Sequence, residues 1–340
     1  MFHPVRVARL VQETADATSI VLEVPAALED AFRYRAGQFV TLEVEVGGER
    51  LRRSYSLASS PDCEREHKVT VKRVEGGRVS SRLHASLCEG DLLSVTRPEG
   101  RFVLDASADP LVLFAGGSGI TPVVSLLKTA LCTTERTVTL LYANRDERSI
   151  IFRAELEELA RRHAGRLRVV HRLDTVHGVI READVRGIVA EAPRASFYLC
   201  GPAPFMTLVE QTLLASGVPD ERVRIERFLS PRDASNAASA APSSESETPA
   251  TVDVVLGGER HTVPYTPGRT LLQAARDAGL DAPYSCEEGF CGCCASDLLE
   301  GRVVMAADDA LGDAEKKKGM ILACQSRPVT ARCAFRFVDG

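Results

Sequence analysis

Four of the chain's ten cysteines crowd into nine residues, within YSCEEGFCGCC, and Cys324 and Cys333 follow downstream. The spacing is Cys286-x4-Cys291-x2-Cys294, then Cys324 after 29 more residues. Four thiolates converging on a small volume can hold two iron and two sulfide ions, and this is the plant-type spacing for that [2Fe-2S] chemistry. Gly289 and Gly292 let the backbone wrap closely, with amides free to point at the sulfurs. The rival is zinc, which usually takes paired C-x2-C hooks. Only one such hook exists here, with an x4 arm added. Cys293 is read as a small side chain packed beside the loop, and Cys333 as core. Cys63, Cys88, Cys132 and Cys200 are scattered singly, unlike the disulfide framework of a short secreted chain.

A second chemical signal is Gly116-Gly117-Ser118-Gly119-Ile120-Thr121-Pro122, between an apolar run and a helical pattern. Thr121 is expected to be the N-cap and Pro122 the first helical residue. Glycines let a phosphate approach the backbone, and a helix N-terminus offers unpaired N–H groups. The sequence is not G-x-G-x-x-G, so an ordinary strand-to-helix turn is the rival. Cys200-Gly201-Pro202, ending a later strand, adds weight, because ligands of such sheets bind beyond the strands' carboxyl ends. A third signal is Arg52-Arg53-Ser54-Tyr55-Ser56-Leu57. Arg53 and Tyr55, at i and i+2 on a strand, face one side. Arginine can clamp a pyrophosphate and tyrosine can lie against a flat ring; a solvated strand is the rival. Gly77-Arg78-Val79-Ser80 opens a short helix and offers a second phosphate site.

These residues need elements to carry them. Residues 5–105 alternate in short β-like runs (Arg6–Glu13, Ser19–Val24, Phe39–Val46, Lys68–Val74, Leu92–Thr96) with turn glycines between, which predicts an antiparallel barrel or sandwich containing one short helix at Ser80–Leu87. Residues 110–229 alternate strand and helix patterns: Leu111–Ala115, Pro122–Leu131, Thr137–Tyr142, a helical face from Phe152 to His163, Leu167–Leu173, Phe197–Cys200, Phe205–Leu214 and Arg222–Phe228. That rhythm predicts a parallel sheet covered on both faces. Residues 251–340 begin with a hairpin turning at Gly257-Gly258, followed by a helix at Thr270–Ala278, the cysteine loop and strands near Ala295–Leu299 and Ala334–Val338, a small α+β module. Between them, SPRDASNAASAAPSSESETPA reads as a flexible linker. The expected domains are therefore 1–106, 107–229 and 251–340, with the linker at 230–250.

Composition narrows the class. The chain has 340 residues, 44% hydrophobic and 26% charged, with no tryptophan, enough apolar content to build cores. Net charge is −5, against a basic nucleic-acid footprint. That charge divides as −3 in 251–340 and −2 in the linker, leaving 1–229 neutral, so the acidic tail module and tether suit a basic patch on a partner. No apolar stretch of about 18 residues occurs, which excludes a spanning helix, and MFHPVRVARL lacks a secretory pattern, so a cytoplasmic location is expected.

Taken together, these motifs resemble the ferredoxin–NADP reductase superfamily joined to a C-terminal plant-type ferredoxin. RSYSLASS resembles the family's flavin motif, GRVSSRL its second pyrophosphate-contacting motif, GGSGITP and CGP its nicotinamide motifs, and IERF its terminal strand. YSLASSP, SGITPVVSLLKTAL, YANRDERSIIF and VRIERF are most similar to the reductase components of 3-ketosteroid 9α-hydroxylases, while phenylacetyl-CoA epoxidase reductases share the domain order. The resemblance implies an FAD-binding antiparallel β-barrel, a nicotinamide-binding α/β domain and a β-grasp ferredoxin domain. It implies that Arg53 holds the flavin pyrophosphate, Tyr55 packs on the isoalloxazine, and Ser56 hydrogen-bonds near N5. Leu57, Val71 and Lys72 join that site, and Gly77, Arg78, Val79 and Ser80 that of the FAD phosphates. Gly117, Thr121, Pro122, Cys200, Gly201 and Pro202 shape the nicotinamide pocket, with Asn144 and Arg145 where the ribose is read. Ser56, Cys200 and Glu226 are the implied catalytic residues. Phe228 falls where plant-type members carry a flavin-shielding tyrosine. Metal ligation falls to Cys286, Cys291, Cys294 and Cys324.

The function this implies is a reductase moving electrons from NADH through FAD and a [2Fe-2S] cluster to a terminal oxygenase. FAD is favoured over FMN by the Gly77–Ser80 motif. Arg145 and Arg148 could take a 2′-phosphate while Asp146 and Glu147 would repel it, and the resemblance to the ketosteroid type favours NADH over NADPH. The rival enzyme reading pairs the chain with a di-iron epoxidase or another Rieske or aromatic-ring oxygenase, and the non-enzyme reading is a zinc-bearing nucleotide-binding adaptor.

Overall fold

The computed structural model describes residues 2–228, 249–287, 289, 291–308 and 310–338, and the chain divides into two compact units, Met1–Phe228 and Leu229–Gly340. The expected linker lies outside the described residues over 230–248.

The first unit opens with six antiparallel strands: β1 (Phe2–Thr14), β2 (Ala17–Glu23), β3 (Phe39–Val46), β4 (Glu49–Ser56), β5 (His67–Lys72) and, after helix α1 (Arg78–Ser86), β6 (Leu92–Thr96). Their order is β4-β3-β6-β1-β2-β5, and a bridge between Leu57 and Val69 brings the two edges together, which closes the barrel. Alternation explains it. Val5, Val7, Ile20, Leu22, Val40, Leu42, Val69, Val71 and Val95 point inward and form one core. The β3–β4 hairpin turns on Gly47 and Gly48, both at positive φ (63° and 82°), the geometry of a two-residue turn. β1 runs four residues further back than its sequence pattern, because Phe2–Arg6 pair with β6.

The same unit continues with β7 (Leu111–Gly116), α2 (Ile120–Thr133), β8 (Val138–Asn144), α3 (Arg153–Arg162), β9 (Leu167–Leu173), α4 (Asp174–His177), α5 (Glu182–Glu191), β10 (Ser196–Gly201), α6 (Ala203–Ala215) and β11 (Val223–Arg227). The strands are parallel in the order β11-β10-β7-β8-β9, which places the topological switch point between β7 and β10. β7 is buried throughout. Leu111, Leu113 and Ala115 face α2 and α3, while Val112 and Phe114 face α5 and α6. Helix α2 is buried from Ile120 to Leu131, because Ala17, Ala36, Ala58 and Phe102 of the barrel side pack into the same core. One helix thus belongs to both halves of the unit and fixes barrel against sheet.

The second unit comprises β12 (Thr251–Leu256), β13 (Glu259–Pro264), α7 (Leu271–Asp277), β14 (Ala295–Glu300), β15 (Val303–Met305), α8 (Asp313–Lys317), β16 (Met320–Leu322), β17 (Ser326–Pro328) and β18 (Ala334–Phe337). The main sheet runs β13-β12-β18-β14-β16, and β15 pairs with β17. Thr270 caps α7, accepting from Gln273 N while the Gln273 side chain accepts from Thr270 N. The helix buries Leu271, Leu272, Ala274 and Ala275 on the sheet, the β-grasp arrangement. Among the described residues no helix is long and apolar enough to cross a membrane.

Candidate functional site

The sulfur site is built on the segment between α7 and β14 and on the turn after β16. Cys286, Cys294 and Cys324 are buried and Cys291 is half-buried. The thiols fall into two pairs. Cys286 N lies 3.5 Å from Cys291 Sγ and Cys291 N lies 3.4 Å from Cys286 Sγ. Cys324 N lies 3.5 Å from Cys294 Sγ. Within the second pair the contact with Cys324, then burial, pushes the Cys294 thiol well above its usual range, and the same contact lowers that of Cys324. Gly289 and Gly292 sit at positive φ (82° and 68°), as a close wrap requires. Glu287, with φ 58°, is left-handed without being glycine, a locally strained position. Two pairs of thiols, with backbone N–H groups aimed at sulfur, fit a cluster of two irons, each taking two thiolates. Cys293 is half-buried within the loop, and Cys333 is buried in the module core. Gln325, which no sequence motif singles out, places its side-chain amide 3.5 Å from Cys324 Sγ. Its position next to the last cysteine of the quartet was the available signal.

The glycine turn and Cys200-Gly201-Pro202 meet at the switch point. A Cβ on Gly119 would stand 2.2 Å from the Cys200 carbonyl oxygen, and one on Gly116 would stand 2.8 Å from Pro202 Cδ. A Cβ on Gly201 would stand 3.1 Å from Gly116 N. Only glycine permits this approach. Gly117 takes a positive φ of 52°, and its carbonyl accepts a hydrogen bond from the Tyr142 hydroxyl at 3.0 Å. The expectation that Thr121 caps α2 is corrected. A 3-10 turn over Gly117–Gly119 brings the helix start forward, Gly119 occupies the cap, and Thr121 sits inside the first turn. The Thr121 hydroxyl donates instead to Ser118 O at 3.1 Å, and Thr121 and Pro122 are both buried. Pro122 is therefore the third helical residue. Cys200 pairs in register with Glu226; burial first, then that carboxylate, pushes its thiol well above the usual range.

The arginine–tyrosine motif lies on β4. Arg53 pairs with Leu42 and Tyr55 with Val40, so both side chains leave the same face. Burial pushes the Tyr55 phenol upward, and Ser56 is buried beside it. Leu57 and Val71 turn their side chains into the barrel core, which leaves only their backbones for a ligand. Lys72, ending β5, brings its ammonium within 3.9 Å of where a Gly117 Cβ would stand, so the barrel reaches the glycine turn. Asp16 lies 3.8 Å from Lys72 Nζ and 3.6 Å from Arg145. Asn144 is buried at the end of β8, with Arg145 exposed after it. Gly77 caps α1, Val79 and Ser80 are buried in its first turn, and Ser80 Oγ accepts from Val74 N at 3.1 Å. The Arg78 guanidinium is drawn elsewhere, to Glu49 at 2.6 Å and Val46 O at 3.2 Å. Phe228 follows β11 and is 40% exposed.

Comparison with known proteins matches three families in series: an oxidoreductase FAD-binding domain at residues 4–104, an oxidoreductase NAD-binding domain at 113–211, and a 2Fe-2S iron-sulfur cluster binding domain at 254–329. The chain is 42% identical over 337 residues to the ferredoxin reductase component of 3-ketosteroid-9-alpha-monooxygenase from Rhodococcus rhodochrous, covering 97% of this chain and 95% of that protein. It is 34% identical to a component of the 1,2-phenylacetyl-CoA epoxidase of Escherichia coli K12, covering 97% and 96%. Among solved structures, phthalate dioxygenase reductase superposes with a TM-score of 0.61 at 27% identity, covering 99% of this chain and 98% of that one. With FAD-binding, NAD-binding and 2Fe-2S domains in this order, the chain belongs to the family of oxygenase reductase components.

Proposed function

We propose that this oxidoreductase supplies electrons from NADH to a separate terminal oxygenase of the 3-ketosteroid 9α-hydroxylase type. The observation that carries the reading is the paired thiol quartet, Cys286 with Cys291 and Cys294 with Cys324, because reduction of flavin by a nicotinamide has no need of it. The 42% identity to a ketosteroid monooxygenase reductase supports the choice of partner class. When bound, the nicotinamide supplies a hydride, the flavin releases the electron pair singly, and the cluster carries one electron at a time.

The chain's own residues position and screen. Gly116, Gly119 and Gly201 let the two turns at the switch point close on each other, which sets the backbone that a nucleotide must approach. The Gly117–Gly119 turn that leads into α2 offers its backbone to a pyrophosphate. Arg53 supplies a guanidinium to the flavin pyrophosphate, and Tyr55 a ring face to its isoalloxazine. Ser56 places a hydroxyl at the flavin, and Cys200 and Glu226 stand together at the nicotinamide end. Val79 and Ser80 offer first-turn backbone at Gly77 for the FAD phosphates, without the Arg78 side chain. NADH is preferred because Arg145 lies near Asp16 while Asp146, through its capping box with Ser149, holds a carboxylate in the same turn. A 2′-phosphate there would meet acidic groups.

The test is reconstitution. NADH oxidation should couple to product formation with a ketosteroid 9α-hydroxylase oxygenase, and NADPH should serve less well. Coupling only to a di-iron phenylacetyl-CoA epoxidase, the partner class of the 34% identical relative, would overturn the steroid assignment and leave the reductase intact.

A further inference from the structure

The Gln325 side-chain nitrogen is surrounded by acceptors. Nε2 lies 3.1 Å from Glu287 O, 3.2 Å from Cys324 O and 3.5 Å from Cys324 Sγ. An amide oxygen turned to the same spot would face two carbonyls, so the nitrogen belongs there. Its two hydrogens can serve the Glu287 carbonyl on one side and the Cys324 sulfur on the other. The residue is held for that task. Gln325 N donates to Leu322 O at 2.9 Å, and its own carbonyl accepts from Ala306 N at 3.0 Å. Its stem crosses Gly289, where a Cβ would stand 3.0 Å from Gln325 Cγ, so the loop carries glycine at this crossing.

The far end of the clamp is the strained residue of the site. Glu287 holds φ 58°, its carboxylate pairs with Arg276 at 3.0 Å, and the Arg276 guanidinium lies 3.8 Å from the Tyr284 ring centroid. One amide therefore joins the loop that carries Cys286 and Cys291 to the turn that carries Cys324.

We infer that Gln325 positions and tunes the cluster by donating a side-chain hydrogen bond to the Cys324 sulfur, which raises the reduction potential of the group bound there. Reduction adds negative charge that spreads onto the ligand sulfurs, and an N–H donor stabilises the more negative state. This rests on the cluster assignment. Failure of that assignment would appear as missing iron, and failure of the inference as an unmoved potential in an iron-loaded protein.

The experiment uses the holoprotein. Gln325→Met keeps length without a donor, and Gln325→Glu places a carboxylate there. In EPR-monitored redox titrations both variants should shift the cluster's midpoint to more negative values, Gln325→Glu further, while the flavin titration and FAD content stay at wild-type values. A purely structural role would accelerate cluster loss without moving the potential. Wild-type protein labelled with 15N in glutamine side chains should show a 15N hyperfine coupling to the reduced cluster, absent in Gln325→Met. An iron-loaded Gln325→Met with the wild-type midpoint would overturn the inference, as would labelled wild type without the coupling. If neither variant retains iron, the labelled wild type decides alone.

Discussion

Replacing Gly119 by alanine puts a measurable load on the contact between the two turns at the switch point. The Gly119 backbone is ordinary, with φ −62° and ψ −7°, so alanine adopts it without strain. The new Cβ would nevertheless stand 2.2 Å from the Cys200 carbonyl oxygen, 2.4 Å from its carbon and 2.7 Å from Gly201 N. Ordinary contact begins at 3.4 Å, so turn and strand end must part by about 1.2 Å, the difference between 3.4 and 2.2 Å. β10 is pinned by β7 on one side and β11 on the other, so the displacement falls on Gly117–Gly119 and the start of α2. A misplacement of about 1 Å in a positioning element costs on the order of 100-fold in rate. Overpacking adds a stability cost of about 1–3 kcal/mol, with roughly 2–4 °C of Tm lost per kcal/mol in a unit of this size. NADH-dependent ferricyanide reduction reads the nucleotide and flavin sites without requiring the cluster. We expect kcat/KM for NADH to fall about 100-fold, with FAD content and the cluster's visible bands unchanged. A folded G119A protein with wild-type kcat/KM would refute the reasoning.

Three further outcomes follow from the same geometry. Cys291→Ser should abolish cytochrome c reduction while leaving ferricyanide reduction largely intact; loss of both with FAD still bound would break the proposed order. Arg53→Ala should weaken FAD retention by about 10- to 100-fold, the worth of a charge-assisted hydrogen bond of roughly 1.5–3 kcal/mol, read by flavin fluorescence on dilution. For Glu155, burial favours the neutral acid, but Lys128 at 2.8 Å and Lys68 at 3.3 Å outweigh it and hold the carboxyl below its usual range. A depressed folded-state pKa gives stability that is present above the unfolded value and lost as pH falls through the folded one. Urea midpoints should therefore drop more steeply below about pH 4.5 in wild type than in Glu155→Gln, and parallel curves would contradict this.

Much of the architecture was readable because burial leaves a periodic trace. β3 at Phe39–Val46 and β9 at Leu167–Leu173 match their sequence patterns residue for residue. The two helices directly after β9, α4 and α5, were not read. Helix α4 spans only Asp174–His177, with Val176 and the following Val179 each 70% exposed, so no apolar face marks it. The capping error at Thr121 has a different origin. A threonine before a proline satisfies the local rule for a helix start, but the 3-10 turn is imposed by Cys200 and Gly201, which are distant in sequence. The thiol spacing was legible because ligation demands it, whereas the Gln325 amide bond depends on how Glu287 and Gly289 fold back, which no spacing encodes.

The position of β18 has a consequence for assembly. This last strand is inserted between β12, with which it runs parallel, and β14, with which it runs antiparallel. Until Ala334–Phe337 are made, the hairpin at one side and Cys294, Ala295 and Cys324 at the other have no shared backbone seam. The iron-holding half is therefore stitched to its scaffold by the final few residues synthesised in the sheet. A nonsense codon or proteolytic nick just upstream of Ala334 would spare all four candidate ligand cysteines yet leave them on an unzipped sheet.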